Sequence, residues 1–209
     1  MKKLPIDKLI GGLLTDVTVR QKEVLESRYG LKNKVKLTLA EIGGRYNVTR
    51  ERIRQIESFA LASVKNKLDN KDYQVFVDFV FSHLEKLGGI RKEDLLSADL
   101  KQFVLDSDVE TFNNKIRFLL AVSDKVNYRG ADNNLHSFWY INENAQQRAT
   151  SFIDSLVKVL IAGKDWQAEM KLPFANNYFS ISKKFASNNY GDFGLVEWPH
   201  INPKTARDW

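Results

Sequence analysis

Two helix starts separated by a short turn constrain the fold of this chain more than any other feature. Thr38 is followed three residues later by Glu41, a capping-box spacing, and the helix that begins there is predicted to end near Tyr46. Thr49 begins a second helix that can extend to Leu68. Two helices joined so closely, the second one long and basic, are typical of a helix-turn-helix.

Two further helices are predicted before this motif. The first covers about Ile6 to Leu14, and the second runs from Thr18, which opens another capping box, to Gly30. The four helices together predict an N-terminal helical bundle over residues 1–68.

The basic charge of the chain is concentrated in this predicted bundle. Residues 1–68 hold 15 Lys and Arg against 7 Asp and Glu, whereas residues 69–209 hold 17 against 19. A basic domain beside a nearly neutral remainder indicates a polyanionic partner for the first domain only. Basic side chains that merely solubilise a surface are the alternative.

The fourth helix is amphipathic in a way that bears on function. Its first two turns carry a polar face composed of Arg50, Glu51, Arg54, Gln55 and Ser58. An apolar face, composed of Ile53, Ile56 and Ala60, lies opposite and is predicted to pack on Leu39 and Ile42. Arginine can bind guanine, glutamine can bind adenine, and glutamate can accept a hydrogen bond from cytosine. A solvated face with intrahelical ion pairs is the alternative. The position at the start of the second helix of the motif favours base contacts.

The motif resembles a known family. Residues 38–43 (TLAEIG) and 48–57 (VTRERIRQIE) resemble the helix-turn-helix of housekeeping-type bacterial sigma factors, and residues 24–31 (VLESRYGL) resemble the preceding helix. The resemblance covers about residues 5–68. In that family this C-terminal domain, the fourth region, reads the upstream promoter hexamer in the major groove and docks on the flap of the polymerase beta subunit.

The resemblance implies two sets of DNA contacts. The expected base contacts are Arg50, Glu51, Arg54 and Gln55. The expected phosphate contacts are Thr38, Arg45, Arg52 and Lys65. Backbone N–H groups at the start of the third helix are expected to help to hold the phosphates.

The sequence also departs from the family. A basic stretch usually follows the Gln-Ile-Glu of the motif, but residues 58–65 (SFALASVK) carry one charge here. We therefore expect weaker phosphate anchoring, loss of a surface that activators use, and packing of Phe59 against the next domain. Sigma factors carry a promoter-melting region ahead of this domain, and few residues precede it here. We therefore expect the protein not to initiate transcription alone, but to act beside a complete sigma factor.

Residues 72–144 are predicted to form a winged-helix-like α+β unit. Apolar spacing predicts a helix that ends at Gly88, and two more helices follow over Arg91 to Leu100 and Val109 to Val122. Two strands follow at 126–128 and 138–141. Acidic residues in this segment favour protein contact or structural support over DNA binding.

Residues 145–209 are predicted to form a helical and irregular C-terminal segment. One amphipathic helix covers 145–163, and the chain is rich in Asn, Gly and Pro from Pro173 onward. The aromatic stretch at 189–199 is predicted to fold back over a core as a strand or loop, and an exposed recognition surface is the alternative. The tail resembles the segment before a further winged helix in some sigma-like proteins. That resemblance implies a natural chain that continues past Trp209.

The fold class is therefore predicted to be mainly α, and several functions are disfavoured. The chain has no cysteine, and its three histidines are far apart in sequence, which argues against a metal site. No nucleotide-binding loop, catalytic carboxylate pair or catalytic triad is present, so we expect no enzyme activity, no cofactor and no small-molecule ligand. The lack of a long apolar run or signal peptide predicts a cytoplasmic protein without a membrane partner.

Three functions remain open at this point. The first is a transcription regulator that binds promoter-like DNA through residues 38–57. The second is a polymerase-associated protein that grips the beta flap and contacts other proteins. The third is the DNA-targeting module of a larger enzyme or phage system.

Overall fold

Helices dominate the computed structural model of this chain, which describes residues 3–106, 108 and 110–202. Small sheets of two or three strands accompany the helices, so the prediction of a mainly α fold with an α+β region is confirmed. The residues up to Val80 and Ser97–Lys125 form one compact unit, called unit 1 below. Phe81–Leu96 and the residues from Val126 onward form unit 2. The division into domains at about residues 68 and 144 stays a prediction.

The four predicted N-terminal helices are all present in unit 1. A short strand β1 (Leu4–Pro5) precedes them, and the helices are α1 (Ile6–Leu13), α2 (Val19–Tyr29), α3 (Leu39–Tyr46) and α4 (Arg50–Lys65). Both predicted capping boxes form, at the starts of α2 and α3. Gly30 ends α2 and Asn47 ends α3, each in the left-handed conformation, with φ of 63° and 54°. The fourth helix ends at Lys65, three residues short of the predicted limit.

The helix-turn-helix is held by a small apolar core. Ile53 and Ile56 of α4 pack with Ile42 of α3 and Val24 of α2, and Leu39 lies against this cluster. The predicted packing of the apolar face of α4 is therefore confirmed. Because three helices contribute to one core, α4 is fixed in orientation and its opposite face points to solvent.

Later elements of the chain complete unit 1. Helix α5 (Lys71–Lys86) begins in this unit, and β3 (Val104–Leu105) pairs in parallel with β1. Helix α7 (Phe112–Ala121) contacts both α1 and α2. The sequence did not predict this packing, because nothing in the local pattern of a helix identifies a partner so distant along the chain.

Polar and aromatic contacts fasten α7 to the N-terminal helices. Asn114 donates hydrogen bonds from Nδ2 to the carbonyl oxygens of Gly30 and Lys34, at 3.1 and 3.0 Å. Phe118 meets the ring of Tyr29 edge to face, with centroids 5.1 Å apart. These contacts fix the end of α2 and the loop between α2 and α3. They therefore stabilise the position of the helix-turn-helix, which begins after that loop.

Unit 2 contains a three-stranded antiparallel sheet. The two predicted strands are present as β4 (Asn127–Arg129) and β5 (Phe138–Tyr140), and β2 (Ile90–Lys92) pairs with the other edge of β5. The predicted helix from Arg91 is wrong at its start, because α6 covers Glu93–Leu100 and β2 occupies the residues before it. The order of helices and strands is that of a winged helix, while the packing of residues 72–144 as one such domain stays a prediction.

The C-terminal part of unit 2 is more regular than the sequence predicted. Helix α8 (Glu143–Ile161) was expected, and it is followed by Gly163 at a φ of 63°. Beyond α8 the chain forms two short helices, one on each side of Pro173, and then a hairpin. These elements are α9 (Gln167–Met170), α10 (Ala175–Ser180), β6 (Phe185–Ser187) and β7 (Phe193–Leu195).

The hairpin of β6 and β7 folds back over an apolar core, as expected for the aromatic stretch. Phe185 and Leu195 are buried with Ile153 and Leu156 of α8 and with Tyr178 of α10. The expected continuation past Trp209 lies outside the described residues. Among the described residues, no helix is long and apolar enough to span a bilayer.

Candidate nucleic-acid interface

The predicted base-contacting side chains lie together at the start of α4. Arg50, Glu51, Arg54 and Gln55 are all exposed within its first two turns. The hydroxyl oxygen of Thr49 caps the helix by accepting a hydrogen bond from the backbone N–H of Arg52, at 3.1 Å. The cap therefore fixes the first residue of α4, and with it the positions of the four side chains on the helix surface.

Arg54 and Glu51 form a bidentate ion pair on this face. The guanidinium donates from Nε to both carboxylate oxygens, at 3.1 and 2.9 Å, and from Nη2 to Oε1 at 2.7 Å. Hydrogen bonds from Arg54 lower the pKa of Glu51, and the same bonds raise the pKa of Arg54. One edge of the guanidinium is thereby occupied, and its Nη1 edge remains available to a planar acceptor such as the O6 and N7 atoms of guanine.

Arg52 and Gln55 form a second pair on the neighbouring side of the helix. Arg52 donates from Nη1 to Oε1 of Gln55 at 3.1 Å. The side-chain amide of Gln55 keeps its two N–H donors for another acceptor. This arrangement brings an expected phosphate contact next to an expected base contact.

Thr38, an expected phosphate contact, is engaged in the capping box of α3. Its hydroxyl donates to Oε2 of Glu41 at 2.8 Å and accepts from the backbone N–H of Glu41 at 3.2 Å. The hydrogen bond from the backbone N–H of Thr38 lowers the pKa of Glu41. The structure gives Thr38 a definite role in starting α3, and its contact with phosphate stays a prediction.

Arg45 and Lys65, the other expected phosphate contacts, occupy different settings. Arg45 is exposed in the last turn of α3. Lys65 lies about 22 Å along α4 from Arg50, at 1.5 Å per residue, and is paired with Asp124 at 2.9 Å. A phosphate contact by Lys65 therefore requires that this exposed ion pair open.

Gly43 is a residue of the site that the sequence reading did not single out. A β-carbon at this position would lie 2.7 Å from the carbonyl oxygen of Val48, in the turn between α3 and α4. The turn also donates a hydrogen bond from the N–H of Val48 to the carbonyl oxygen of Gly43 at 3.0 Å. The close approach of the turn sets where α4 begins, and only glycine allows it. The Gly43-Gly44 pair inside a short helix was the available signal.

The aromatic side chains outside the base-contacting face differ in burial. Phe59 is 65% exposed, so the expectation that it packs against the next domain is wrong. On β4 and β5, Phe138 and Trp139 are buried, and Tyr128 and Tyr140 are partly buried.

The described residues do not form a metal site. Within residues 3–106, 108 and 110–202, no group of three or more His, Cys, Asp or Glu side chains could hold a metal ion.

A groove of about 430 Å³ beside the loop between α2 and α3 is lined by Val35, Leu37, Arg45 and Tyr46, among others.

Comparison with known proteins identifies the N-terminal domain. Residues 13–66 match sigma-70, region 4. The RNA polymerase sigma factor SigA1 of Synechococcus elongatus is 42% identical over 66 residues, which are 32% of this chain and 16% of that protein. SigA of Clostridium acetobutylicum is 41% identical over 66 residues, which are 32% of this chain and 18% of that sigma factor. Sigma factor sigB of Arabidopsis thaliana is 40% identical over 72 residues, which are 34% of this chain and 12% of that protein.

The segments matched by these relatives cover about a third of this chain. The chain spans less than a fifth of the length of each of these relatives. No solved structure matches the chain. The resemblance of the N-terminal residues to the fourth region of sigma factors is confirmed, and with it a sigma-like DNA-binding helix-turn-helix.

Proposed function

We propose that this protein is a transcription regulator that binds promoter-like DNA in the major groove through the first two turns of α4. The observation that carries the proposal is the exposed face of Arg50, Glu51, Arg54 and Gln55 at the start of the second helix of a sigma-like helix-turn-helix. Residues at that position of the motif are the ones that reach base edges.

The geometry supports a distinct role for each side chain. Arg54, oriented by Glu51, offers the free edge of its guanidinium to a guanine, and Gln55 offers its amide to an adenine. Glu51 keeps lone pairs that can accept a hydrogen bond from cytosine while it holds Arg54. Arg50 provides a further donor on the same face.

Phosphate contacts are proposed to fix the register of α4 in the groove. Arg45 and Arg52 flank the turn between α3 and α4, and both are exposed. The first-turn N–H groups of α3 that the capping box leaves unpaired add a partial positive charge beside Thr38. Lys65 contributes at the far end of α4 once its pair with Asp124 opens.

The test is a titration of the full chain with two duplexes at one salt concentration. One duplex carries the upstream promoter hexamer, and the other carries the same bases in shuffled order. We expect the hexamer to be preferred by at least about tenfold, since specific sites are typically bound far more tightly than non-specific DNA. Equal binding of the two duplexes contradicts the proposal.

A matched pair of arginine variants shows which residue is responsible. Arg54→Ala is expected to weaken hexamer binding by about 1–3 kcal/mol, roughly 5- to 150-fold, and to change binding of the shuffled duplex little. Arg129 is the control, because it also forms an exposed i,i+3 ion pair, with Asp132 at 2.9 Å, but lies in unit 2. Arg129→Ala is expected to bind both duplexes as the wild type does.

A second candidate function is association with RNA polymerase through the beta flap. The groove beside the loop between α2 and α3 favours it, because the exposed, apolar Val35 lies there among charged side chains such as Glu26 and Arg45. An apolar side chain within a polar rim can receive an apolar side chain of a partner protein. Binding of core polymerase without discrimination between the two duplexes would support this candidate over the first.

A further inference from the structure

An aromatic side chain stands exposed on α4 beyond the proposed base-contacting face. Phe59 is 65% exposed, one turn after Gln55, although aromatic side chains bury much apolar surface and are costly to leave in water. At about 100° and 1.5 Å per residue, Phe59 lies about 40° around the helix from Gln55 and about 6 Å further along it. It lies only about 20° around the helix from Arg52.

The position of Phe59 places it between the two kinds of DNA contact. Gln55 is proposed to read a base and Arg52 to hold a phosphate, and the two side chains are joined by a hydrogen bond of 3.1 Å. If α4 lies in the major groove with Gln55 and Arg52 in contact with DNA, Phe59 lies in the same groove, next to the base edges. The neighbours of Phe59 on its own and the next turn of α4, Ser58, Ala62 and Ser63, are uncharged.

The chemistry of the groove selects one partner for such a side chain. Bases and phosphates present polar atoms in the major groove, and the apolar feature there is the C5 methyl group of thymine. Phenylalanine is among the side chains that contact this methyl. A phosphate would leave the ring without a favourable partner, because an apolar ring cannot replace the hydration of an anion.

We propose that Phe59 is a specificity-determining residue that contacts the C5 methyl group of a thymine next to the base pair read by Gln55. The inference rests on the proposed DNA-reading function. It adds to the DNA site one base pair that the polar face of α4 does not contact. It accounts for the exposure of the ring on a helix whose neighbouring residues are polar or small.

The test replaces thymines in the preferred duplex one at a time by deoxyuridine, which lacks only the methyl group. For the wild-type chain, one replacement beyond the Gln55 base pair is expected to weaken binding by about fourfold, the equivalent of one buried methyl group. For Phe59→Ala, the thymine and deoxyuridine duplexes are expected to bind equally at that position. Phe59→Leu is expected to retain part of the methyl preference, because it keeps an apolar side chain.

The control is Val19→Ala, since Val19 is 75% exposed on α2 of the same unit. It should retain the wild-type response to deoxyuridine. The inference is overturned if Phe59→Ala keeps the wild-type methyl preference, or if no replacement affects the wild-type chain. An equal loss on the thymine and deoxyuridine duplexes, with the methyl preference kept, also overturns it. If the wild type discriminates the hexamer and Arg54→Ala does not, the proposed function stands even when this inference fails.

Discussion

Two adjacent glycines of α3 should respond in opposite directions to the same substitution. A β-carbon on Gly44 would have no heavy atom within 4 Å, whereas one on Gly43 would lie 2.7 Å from the carbonyl oxygen of Val48 and 3.5 Å from the backbone nitrogen of Arg50. The atoms met at Gly43 belong to the backbone of the turn, so no side-chain rotation relieves the contact. The turn or the whole start of α4 must move.

The expected magnitudes follow from this contrast. Alanine is favoured over glycine within a helix by up to about 1 kcal/mol, so Gly44→Ala should stabilise unit 1 by roughly 0.5–1 kcal/mol. Gly43→Ala gains the same helix propensity, but overpacking against a rigid backbone costs about 1–3 kcal/mol. We expect a net loss of about 1–2 kcal/mol, together with a displaced Thr49 cap.

Thermal unfolding followed by circular dichroism measures the difference. At about 2–4 °C per kcal/mol for a chain of this size, Gly44→Ala should raise the midpoint slightly and Gly43→Ala should lower it by several degrees. Gly43→Ala should also weaken binding to the preferred duplex at a temperature where it is folded, and Gly44→Ala should not. Equal stability of the two variants, with equal DNA binding, would refute the close approach at Gly43 as the feature that positions α4.

Three further perturbations test other parts of the structure. Lys115 is buried between two aspartates, with Asp106 at 2.7 Å. Lys115→Met should lower the free energy of unfolding by about 3–5 kcal/mol, measured by unfolding in urea, because it leaves a buried carboxylate unpaired. An unchanged unfolding transition would count against the buried pair. The lowered pKa of Glu41 means that its capping box stabilises fully above the ordinary carboxyl value of 4.5 and less as the pH falls through the lower folded value. In the wild type this loss of stability lowers the melting temperature at acid pH, and Glu41→Gln should remove that decrease. A pH profile of the melting temperature that is the same for both proteins would argue against the hydrogen bond between Glu41 and Thr38. Arg52→Ala should reduce the slope of log affinity against log salt by about 0.9, and an unchanged slope would exclude a phosphate contact.

The helix-turn-helix could be predicted from the sequence because its signals are local. Each capping box joins residues three positions apart, and the αL residues Gly30 and Asn47 act within a single turn. The polar and apolar faces of α4 follow from helical spacing alone. The ion pair of Glu51 with Arg54 belongs to the same class, since it joins neighbours on one helix face.

The elements that the sequence did not predict depend on distant parts of the chain. Strand β2 has three residues, too few to show a period, and it exists because it pairs with β5 some fifty positions later. Helix α10 and the hairpin of β6 and β7 are likewise short and are fixed by their packing on α8. The exposure of Phe59 could not be predicted, since a sequence does not show which surface lies free.

Selection of binding sites from a random duplex pool measures whether the first two turns of α4 read DNA sequence. The full chain and Arg54→Ala are each used to select sites, and the bound fractions are sequenced. We expect a defined motif for the wild type. For Arg54→Ala we expect the same motif, with the preference lost at the one or two base pairs that Arg54 contacts. An identical motif for both proteins, or no motif for the wild type, would contradict this expectation.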